Sequence, residues 1–120
     1  MPNGKICYME IPAIDADASA RFYADGFGWA SRTRGDGAHA FDDSTGAVSG
    51  AFVTDREPHT TVDVMTYIMV DDIDATLDLI MAQSGVVVQP RTAIGPSEGA
   101  YAFFTDPAGN VFGLYQEPKK

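Results

Sequence analysis

The 120-residue sequence contains few of the residue types that several kinds of binding site require. It has one cysteine, Cys7, and only eight lysines and arginines against seventeen aspartates and glutamates, a formal net charge of −9. One cysteine can form neither an internal disulfide nor a thiolate metal cluster. Binding to nucleic acid or to an anionic membrane requires many basic residues, because it is driven by counterion release. We therefore expect neither as a partner, whereas a cationic ligand is electrostatically possible.

Long hydrophobic runs are also missing. No apolar stretch reaches the roughly 20 residues of a membrane-spanning helix, and no apolar signal-peptide region follows Met1. The composition, with 45% hydrophobic and 21% charged residues, is that of an ordinary globular protein. A chain of this length usually builds one hydrophobic core. We therefore expect a single domain over residues 1–120 and a cytoplasmic location.

The sequence does contain an internal repeat. Six residues recur at a spacing of 63 positions, from 41 to 104 through 52 to 115. Each copy is typical of a strand, a tight turn and a second strand, because Asp, Pro and Gly favour β-turns. The repeat therefore predicts two β-hairpins in a common register. The matched pairs are Phe41 and Phe104, Asp43 and Asp106, Gly46 and Gly109, Val48 and Val111, Gly50 and Gly113, and Phe52 and Tyr115.

A strand and a helix are predicted before each hairpin. The strands are residues 6–11 and 64–70, the N-cap candidates are Asp15 or Asp17 and then Asp72, and the stop signals are Gly26, Gly28 and Gly85. The two caps are 57 positions apart (15 to 72), which is six positions fewer than the spacing of 63 between the two hairpins. The second copy must therefore have a longer connection, which we place at Thr92–Gly99 because of its glycines and proline. These elements predict an α+β fold of two βαβββ modules, about residues 4–55 and 62–117, with residues 56–60 as linker.

Several short motifs resemble those of one family. They are Glu10-Ile11-Pro12, Phe22-Tyr23, Phe27-Gly28-Trp29, Val70-Asp71-Asp72 and Asp106-Pro107-Ala108-Gly109-Asn110. Together they look like the glyoxalase/bleomycin-resistance/extradiol-dioxygenase family, the vicinal oxygen chelate superfamily. The resemblance implies that the two modules form an open, barrel-like curved sheet with helices on its outer face. It also implies a homodimer, because family members commonly pair two chains.

The resemblance places metal ligands on the first and last strand of each module. In metal-dependent members these are His and Glu side chains, and the corresponding positions here are Tyr8, Gly50, Met65 and Gly113. A phenol, a thioether and two glycines do not make a site for a divalent ion. We therefore expect no metal and no other cofactor. Lactoylglutathione lyase and extradiol dioxygenase activity of the metal-dependent kind are disfavoured for the same reason.

The curved sheet of this family encloses a cavity. Alternation along the strands predicts which residues line it in place of metal ligands, because residues two apart face the same side. The same rule places Phe103 and Phe104 on opposite sides. The predicted lining is apolar and aromatic, which is typical of a pocket for a small molecule. The predicted ligand-binding residues are Tyr8, Glu10, Gly50, Phe52, Met65, Tyr67, Gly113 and Tyr115.

Two functions are compatible with this lining. The first is a metal-independent protein that binds an aromatic or cationic small molecule in an apolar cavity. The second is a glyoxalase-like lyase or isomerase in which Glu10 and a tyrosine, Tyr8, transfer protons. A carboxylate among tyrosines and methionines should have a pKa raised by desolvation, which would suit a general base.

Overall fold

Each half of the chain forms a four-stranded mixed sheet with one helix. The computed structural model describes residues 3, 6–60 and 64–118, so the predicted module starts at residues 4 and 62 lie outside the described residues. The chain divides into two compact units, Met1–Pro58 and His59–Lys120. The elements of the first unit are β1 (Tyr8–Pro12), α1 (Ala16–Phe27), β2 (Ala30–Thr33), β3 (His39–Asp42) and β4 (Ser49–Val53). Those of the second are β5 (Tyr67–Met69), α2 (Ile73–Ala82), β6 (Val86–Gly95), β7 (Gly99–Thr105) and β8 (Val111–Gln116).

The two sheets have the same topology. The strand order is β1-β4-β3-β2 in the first and β5-β8-β7-β6 in the second. In each, the first strand runs parallel to the last, and the remaining pairs are antiparallel. Neither sheet closes into a barrel within the described ranges. The predicted α+β class and the βαβββ order are therefore confirmed, although β1 and β5 are shorter than the predicted strands. Neither α1 nor α2 is long and apolar enough to cross a membrane.

The helix caps follow from local hydrogen bonding. Asp15 caps α1, because its Oδ1 accepts hydrogen bonds from the backbone N–H groups of Asp17 and Ala18 at 3.0 and 3.2 Å. Gly28 ends α1 in the left-handed conformation at φ 73°, and its N–H donates to the Ala24 carbonyl. Asp72 caps α2 in the predicted way through the N–H of Ala75.

The end of α2 differs from the prediction. The left-handed residue there is Ser84, at φ 70°, and not Gly85. Gly85 is required for a different reason: a Cβ would lie 2.5 Å from the Ile80 side chain and 2.9 Å from the Thr105 carbonyl oxygen. Its role is therefore close approach of the chain to the helix and not reversal of the backbone.

One face of each sheet packs on its helix. In the first unit the rings of Tyr23, Trp29, Phe41 and Phe52 form a stack with successive centroid distances of 4.7 to 5.8 Å. In the second unit α2 buries Ile73, Leu77 and Ile80 against the sheet. The buried sheet residues there are Ala100, Ala102, Phe104, Phe112 and Leu114. These helix-facing surfaces are the hydrophobic cores of the units, and the opposite face of each sheet is its open face.

The two hairpins differ by one residue in their turns. In the first, the Asp43 N–H donates to the carbonyl of Val48, whereas in the second the Asp106 N–H donates to that of Asn110. Phe41 therefore pairs with Gly50, but Phe104 pairs with Phe112. After the turn, structural equivalence follows a spacing of 62 and not 63. The predicted common register is wrong for β4 against β8, and the pleat of β4 is inverted relative to the repeat.

The extra length of the second module also lies elsewhere than predicted. Strand β6 has ten residues where β2 has four, and β7 has seven where β3 has four. The pairing of β6 with β7 shifts register at three places. Residues 92–95, expected in a loop, belong to this bulged strand, and the connection itself is a short turn between Gly95 and Gly99.

Candidate functional site

The open face of the second sheet bears an apolar, aromatic hollow. Paired residues on neighbouring strands face the same side, and Tyr67, Gly113 and Phe103 form one such row. Met69, Tyr115 and Tyr101 form the next row. The cavity has a volume of about 630 Å³. Its lining residues are Tyr67, Met69, Ile94, Tyr101, Phe103 and Tyr115.

These side chains are unusually exposed for apolar residues on one contiguous surface. Tyr67 is 48% exposed, Met69 63% and Ile94 50%. Contiguous exposed apolar patches usually mark binding surfaces, whereas single exposed apolar residues need no explanation. The patch lies opposite the packed helix, so it is not part of the core of this unit.

Gly113 allows the Tyr67 ring to lie directly over the strand. A Cβ at Gly113 would be 2.5 Å from Cδ2 and 2.6 Å from Cε2 of that ring. Phe103 lies beside it, with ring centroids 6.0 Å apart and planes tilted by 55°, and Tyr101 is 5.4 Å from Phe103 at 51°. Tilted rings at these distances attract each other through their quadrupoles. The three rings thus form a continuous wall whose π faces are available to a planar ligand.

The β6–β7 turn borders this hollow. The Tyr115 hydroxyl donates a 2.9 Å hydrogen bond to the backbone carbonyl of Glu98. The Glu98 carboxylate folds back over Gly95, where a Cβ would lie 2.6 Å from Oε2, and accepts a hydrogen bond from the Ser97 N–H. The turn is therefore held to β8 by a tyrosine that also lines the cavity.

The open face of the first sheet is polar instead. Arg34 Nη1 donates a 3.0 Å hydrogen bond to the Tyr8 hydroxyl oxygen. Arg56 Nη1 lies 2.8 Å from Glu10 Oε1, and Arg32 Nε lies 3.0 Å from a carboxylate oxygen of Asp42 on the neighbouring strand. A second hydrogen bond to that aspartate comes from the Ser49 hydroxyl at 2.7 Å. Three arginines therefore bind to the acidic and phenolic groups of this face.

Arg34 also forms an ion pair with Asp36 at 2.9 Å, and the arginine contacts change the pKa values of two aspartates and of the arginines. The hydrogen bond from Arg34 lowers the pKa of Asp36 to about 2, and the same pair raises the pKa of Arg34. Hydrogen bonding by Arg32 lowers the pKa of Asp42. The hydrogen bond to Glu10 raises the pKa of Arg56. Each of these three arginines therefore forms an ion pair with a carboxylate of the first module.

A second hollow, of about 710 Å³, lies at the start of α1. Its polar side chains already have structural partners: Asp15 caps the helix, and His39 Nδ1 lies 3.7 Å from Asp17 Oδ1. Phe52 forms part of its wall. Because its polar groups are explained by these contacts, we regard the aromatic hollow as the better candidate site.

Two predicted site residues do not lie on the predicted face. Gly50 and Phe52 are in register with Met9 and Ile11 and face α1, not the open face that bears Tyr8. The cause is the additional residue in the first turn, which shifts the pleat of β4. The residue equivalent to Gly113 is therefore Ala51, which pairs with Glu10.

The expected surroundings of Glu10 are also wrong. Its side chain is 38% exposed and forms an ion pair with Arg56, so it does not lie among tyrosines and methionines. The premise of a desolvated general base is thus not met.

The second module agrees better with the prediction of a shared face. Tyr67, Gly113 and Tyr115 lie together on the open face, and Phe103 and Phe104 face opposite sides. Met65 precedes β5 and is half-buried. Sequence reasoning missed Tyr101 and Ile94. Tyr101 could have been found by alternation from Phe103, whereas no pattern indicated Ile94. Whether any of these residues binds a ligand stays a prediction.

The positions at which the family holds a divalent ion were tested against their side chains. With the corrected register of β4, these positions are Tyr8 and Ala51 in the first module and Met65 and Gly113 in the second. The Tyr8 oxygen already accepts a hydrogen bond from Arg34, and the space beside Gly113 is filled by the Tyr67 ring. Across residues 3, 6–60 and 64–118, no three His, Cys, Asp or Glu side chains converge. These residues do not fit a divalent metal.

The fold, with two βαβββ modules and an open sheet face in each, defines a class of protein. A family model, Glyoxalase/Bleomycin resistance protein/Dioxygenase superfamily, matches residues 5–114. The chain therefore belongs to this superfamily. It is 30% identical over 125 residues to a "Glyoxylase-like domain-containing protein" of Didymella fabae, with 98% of each chain covered. It is also 30% identical to a protein of Mycobacterium bovis with the provisional name glyoxylase CFP32, over 91% of this chain but 44% of that protein.

Solved structures show the same fold at lower identity. A glyoxalase/bleomycin resistance protein/dioxygenase family enzyme from Burkholderia phytofirmans superposes with a TM-score of 0.77 at 17% identity, covering 96% of this chain and 100% of that one. TnmS3, an antibiotic binding protein from Streptomyces, superposes with a TM-score of 0.70 at 22% identity, covering 98% and 99%. The fold is thus shared with one protein described as an enzyme and one described as a binding protein.

Proposed function

We propose that this chain is a metal-independent protein that binds an aromatic or cationic small molecule on the open face of its second module. The observation that carries the proposal is the aromatic hollow of about 630 Å³, with half-exposed Tyr67 beside Phe103 and Tyr101. Pockets for small molecules have this character, with apolar walls and a few polar groups. Burial of apolar surface yields about 25 cal/mol per Å², so a ligand that covers these rings gains affinity from the hydrophobic effect.

The charge of the second unit favours a neutral or cationic ligand. Residues 59–120 contain eight acidic and three basic residues, a formal net charge of −5. Arg91 is the only lysine or arginine among the described residues of this unit. An anionic ligand would therefore be repelled, whereas a cation is attracted both by the field and by the faces of the tyrosine and phenylalanine rings. The fold shared with the antibiotic binding protein TnmS3 supports a binding role.

Binding of a small planar probe, 4-methylquinoline at pH 8, tests this proposal by calorimetry. Replacing Tyr101→Ser removes one ring of the wall, and we expect the affinity to fall about tenfold, because one aromatic contact contributes roughly 1.5 kcal/mol. Tyr101→Phe should retain the affinity. Leu79→Ser is the control, since Leu79 is an exposed apolar residue on α2, which packs against the other face. Equal losses in the Tyr101→Ser and Leu79→Ser variants would contradict the proposal.

Proton transfer by Glu10 and Tyr8 is the second candidate. Both side chains do project from the same face of β1. Their polar atoms are bound to Arg56 and Arg34, however, which keeps Glu10 an exposed ion pair. We expect Glu10→Gln to leave any turnover unchanged, and a large loss of turnover in this variant would favour the enzymatic function. The homodimer and the cytoplasmic location belong to the same proposal, and light scattering and cell fractionation test them.

A further inference from the structure

The carboxylate of Glu98 differs from the carboxylates on the open face of the first module. Asp42 and Glu10 there are each bound to an arginine at 3.0 Å or less. Glu98 accepts a hydrogen bond only from the neutral N–H of Ser97 in its own turn, and no basic side chain of residues 59–60 or 64–118 forms an ion pair with it. Among residues 59–60 and 64–118, no cation compensates its negative charge.

The turn that bears Glu98 is fixed in place at the edge of the aromatic hollow. Ile94, the residue before Gly95, lines the hollow, and so does Tyr115, whose hydroxyl holds the Glu98 carbonyl at 2.9 Å. Gly99 closes the turn at φ 87°, a conformation that residues other than glycine rarely adopt, and a Cβ there would meet the carbonyl oxygen of Gln116. Glu98 itself does not line the hollow, but its turn directly follows Ile94 and is hydrogen-bonded to Tyr115, and both of these residues do.

We infer that Glu98 selects the ligand, so that the hollow prefers an aromatic cation whose ring packs against the tilted rings of Tyr67, Tyr101 and Phe103 while its positive group lies near the Glu98 carboxylate. This inference rests on the proposed function, because it specifies the ligand of the same hollow. The tyrosine and phenylalanine rings support the same preference, since their faces attract cations. Glu98 contributes selectivity by charge, whereas the rings contribute most of the affinity.

A pair of probes of nearly equal size and shape tests the inference. The cation 1-methylquinolinium and the neutral 4-methylquinoline are compared by calorimetry at pH 8 and low salt with the full chain. The wild-type protein should bind the cation more tightly. In the Glu98→Gln variant the affinity for the cation should fall about threefold to fivefold, the upper part of the range measured for exposed ion pairs, and the affinity for the neutral probe should stay within twofold. Gln retains an oxygen that can accept the Ser97 N–H, so the turn is preserved.

Asp78→Asn is the matched control, because it removes one negative charge from α2, which packs on the other face of the same sheet. It should lower the affinity for the cation by less than Glu98→Gln does, and raised salt should reduce the difference further. If both probes bind but Glu98→Gln and Asp78→Asn have equal effects, the role of Glu98 is refuted while the proposed function stands. If neither probe binds, both are refuted.

Discussion

Gly50 and Gly113 are matched by the sequence repeat, yet substitution by alanine should have opposite consequences. At Gly50 the new Cβ would meet the Met9 carbonyl oxygen and lie 2.5 Å from Cζ of Phe41. The backbone carbonyl cannot move without disturbing the β1–β4 pairing, and Phe41 is only 1% exposed. At Gly113 the Cβ would meet only the Tyr67 ring, the end of a half-exposed side chain that can rotate into solvent.

The magnitudes follow from these neighbours. Overpacking a well-filled core typically costs about 1–3 kcal/mol, and the contact with backbone places Gly50→Ala at the upper end, about 3 kcal/mol. In Gly113→Ala the displacement of Tyr67 costs less, and it is offset by about 0.4–1 kcal/mol from the reduced entropy of the unfolded chain. We therefore expect Gly113→Ala to change the free energy of unfolding by less than about 1 kcal/mol.

Urea unfolding followed by circular dichroism measures both variants, with ΔG extrapolated linearly and the m-value checked for constancy. A loss of 3 kcal/mol is a large part of the 5–15 kcal/mol that stabilises a typical domain, so Gly50→Ala should lower the midpoint clearly. Should the protein fail to accumulate in soluble form, Gly50→Ser against Gly113→Ser gives the same comparison by yield. Equal destabilisation at the two positions would refute the inverted pleat of β4 on which this reasoning depends. Gly113→Ala should also weaken binding of 4-methylquinoline, because it moves Tyr67.

Two further predictions concern the turn of the second module and the ion pairs of the first. Asn110→Ala should lower the free energy of unfolding, measured in urea, by about 2–4 kcal/mol, because each lost buried hydrogen bond costs about 1–2 kcal/mol. The buried Asn110 amide donates to Asp106 at 2.8 Å and accepts from the His59 N–H at 2.7 Å. A change below about 0.5 kcal/mol would contradict this prediction. The Asp36 carboxyl should titrate at about 2 in an NMR pH series, and its pKa should rise towards the ordinary value in Arg34→Gln, which leaves the hydrogen bond from the Ala38 N–H in place. Because the folded pKa is lowered, this ion pair stabilises the fold above the unfolded pKa, and its contribution is lost as the pH falls towards 2. An unchanged titration in the variant would show that Arg34 is not the cause.

Much of the fold could be predicted because its determinants are local. Asp15 and Asp72 cap their helices through hydrogen bonds to residues two or three positions on, and Gly46 and Gly109 close the turns with positive φ. Patterns of this kind are visible within a few residues of sequence. The two hairpins could also be predicted, because six matched residues at a constant spacing indicate them.

The register of β4 could not be predicted, because it depends on which carbonyl closes the turn. Val48 and Asn110 occupy that place after turns that both contain an Asp and a Gly three residues apart. A shift of one residue exchanges the two faces of a strand, so a small difference in a turn moved Gly50 and Phe52 from the open face to the core. The ion pair of Glu10 was missed for a related reason: its partner, Arg56, is 46 positions away along the chain.

The comparison of the two modules indicates where function has diverged. On the helix-facing side one equivalent pair is similar, since Phe41 and Phe104 are both buried rings at 1% and 0% exposure, whereas Gly50 corresponds to Phe112. On the open face, Glu10 with its arginine is replaced by Tyr67, at the equivalent position 57 residues on. Packing against a helix restricts a position to apolar residues of suitable volume, whereas an open face is not restricted in this way. The open face could therefore change from charged to aromatic without loss of the fold, and under the proposed function the residues of this face determine the specificity for the ligand.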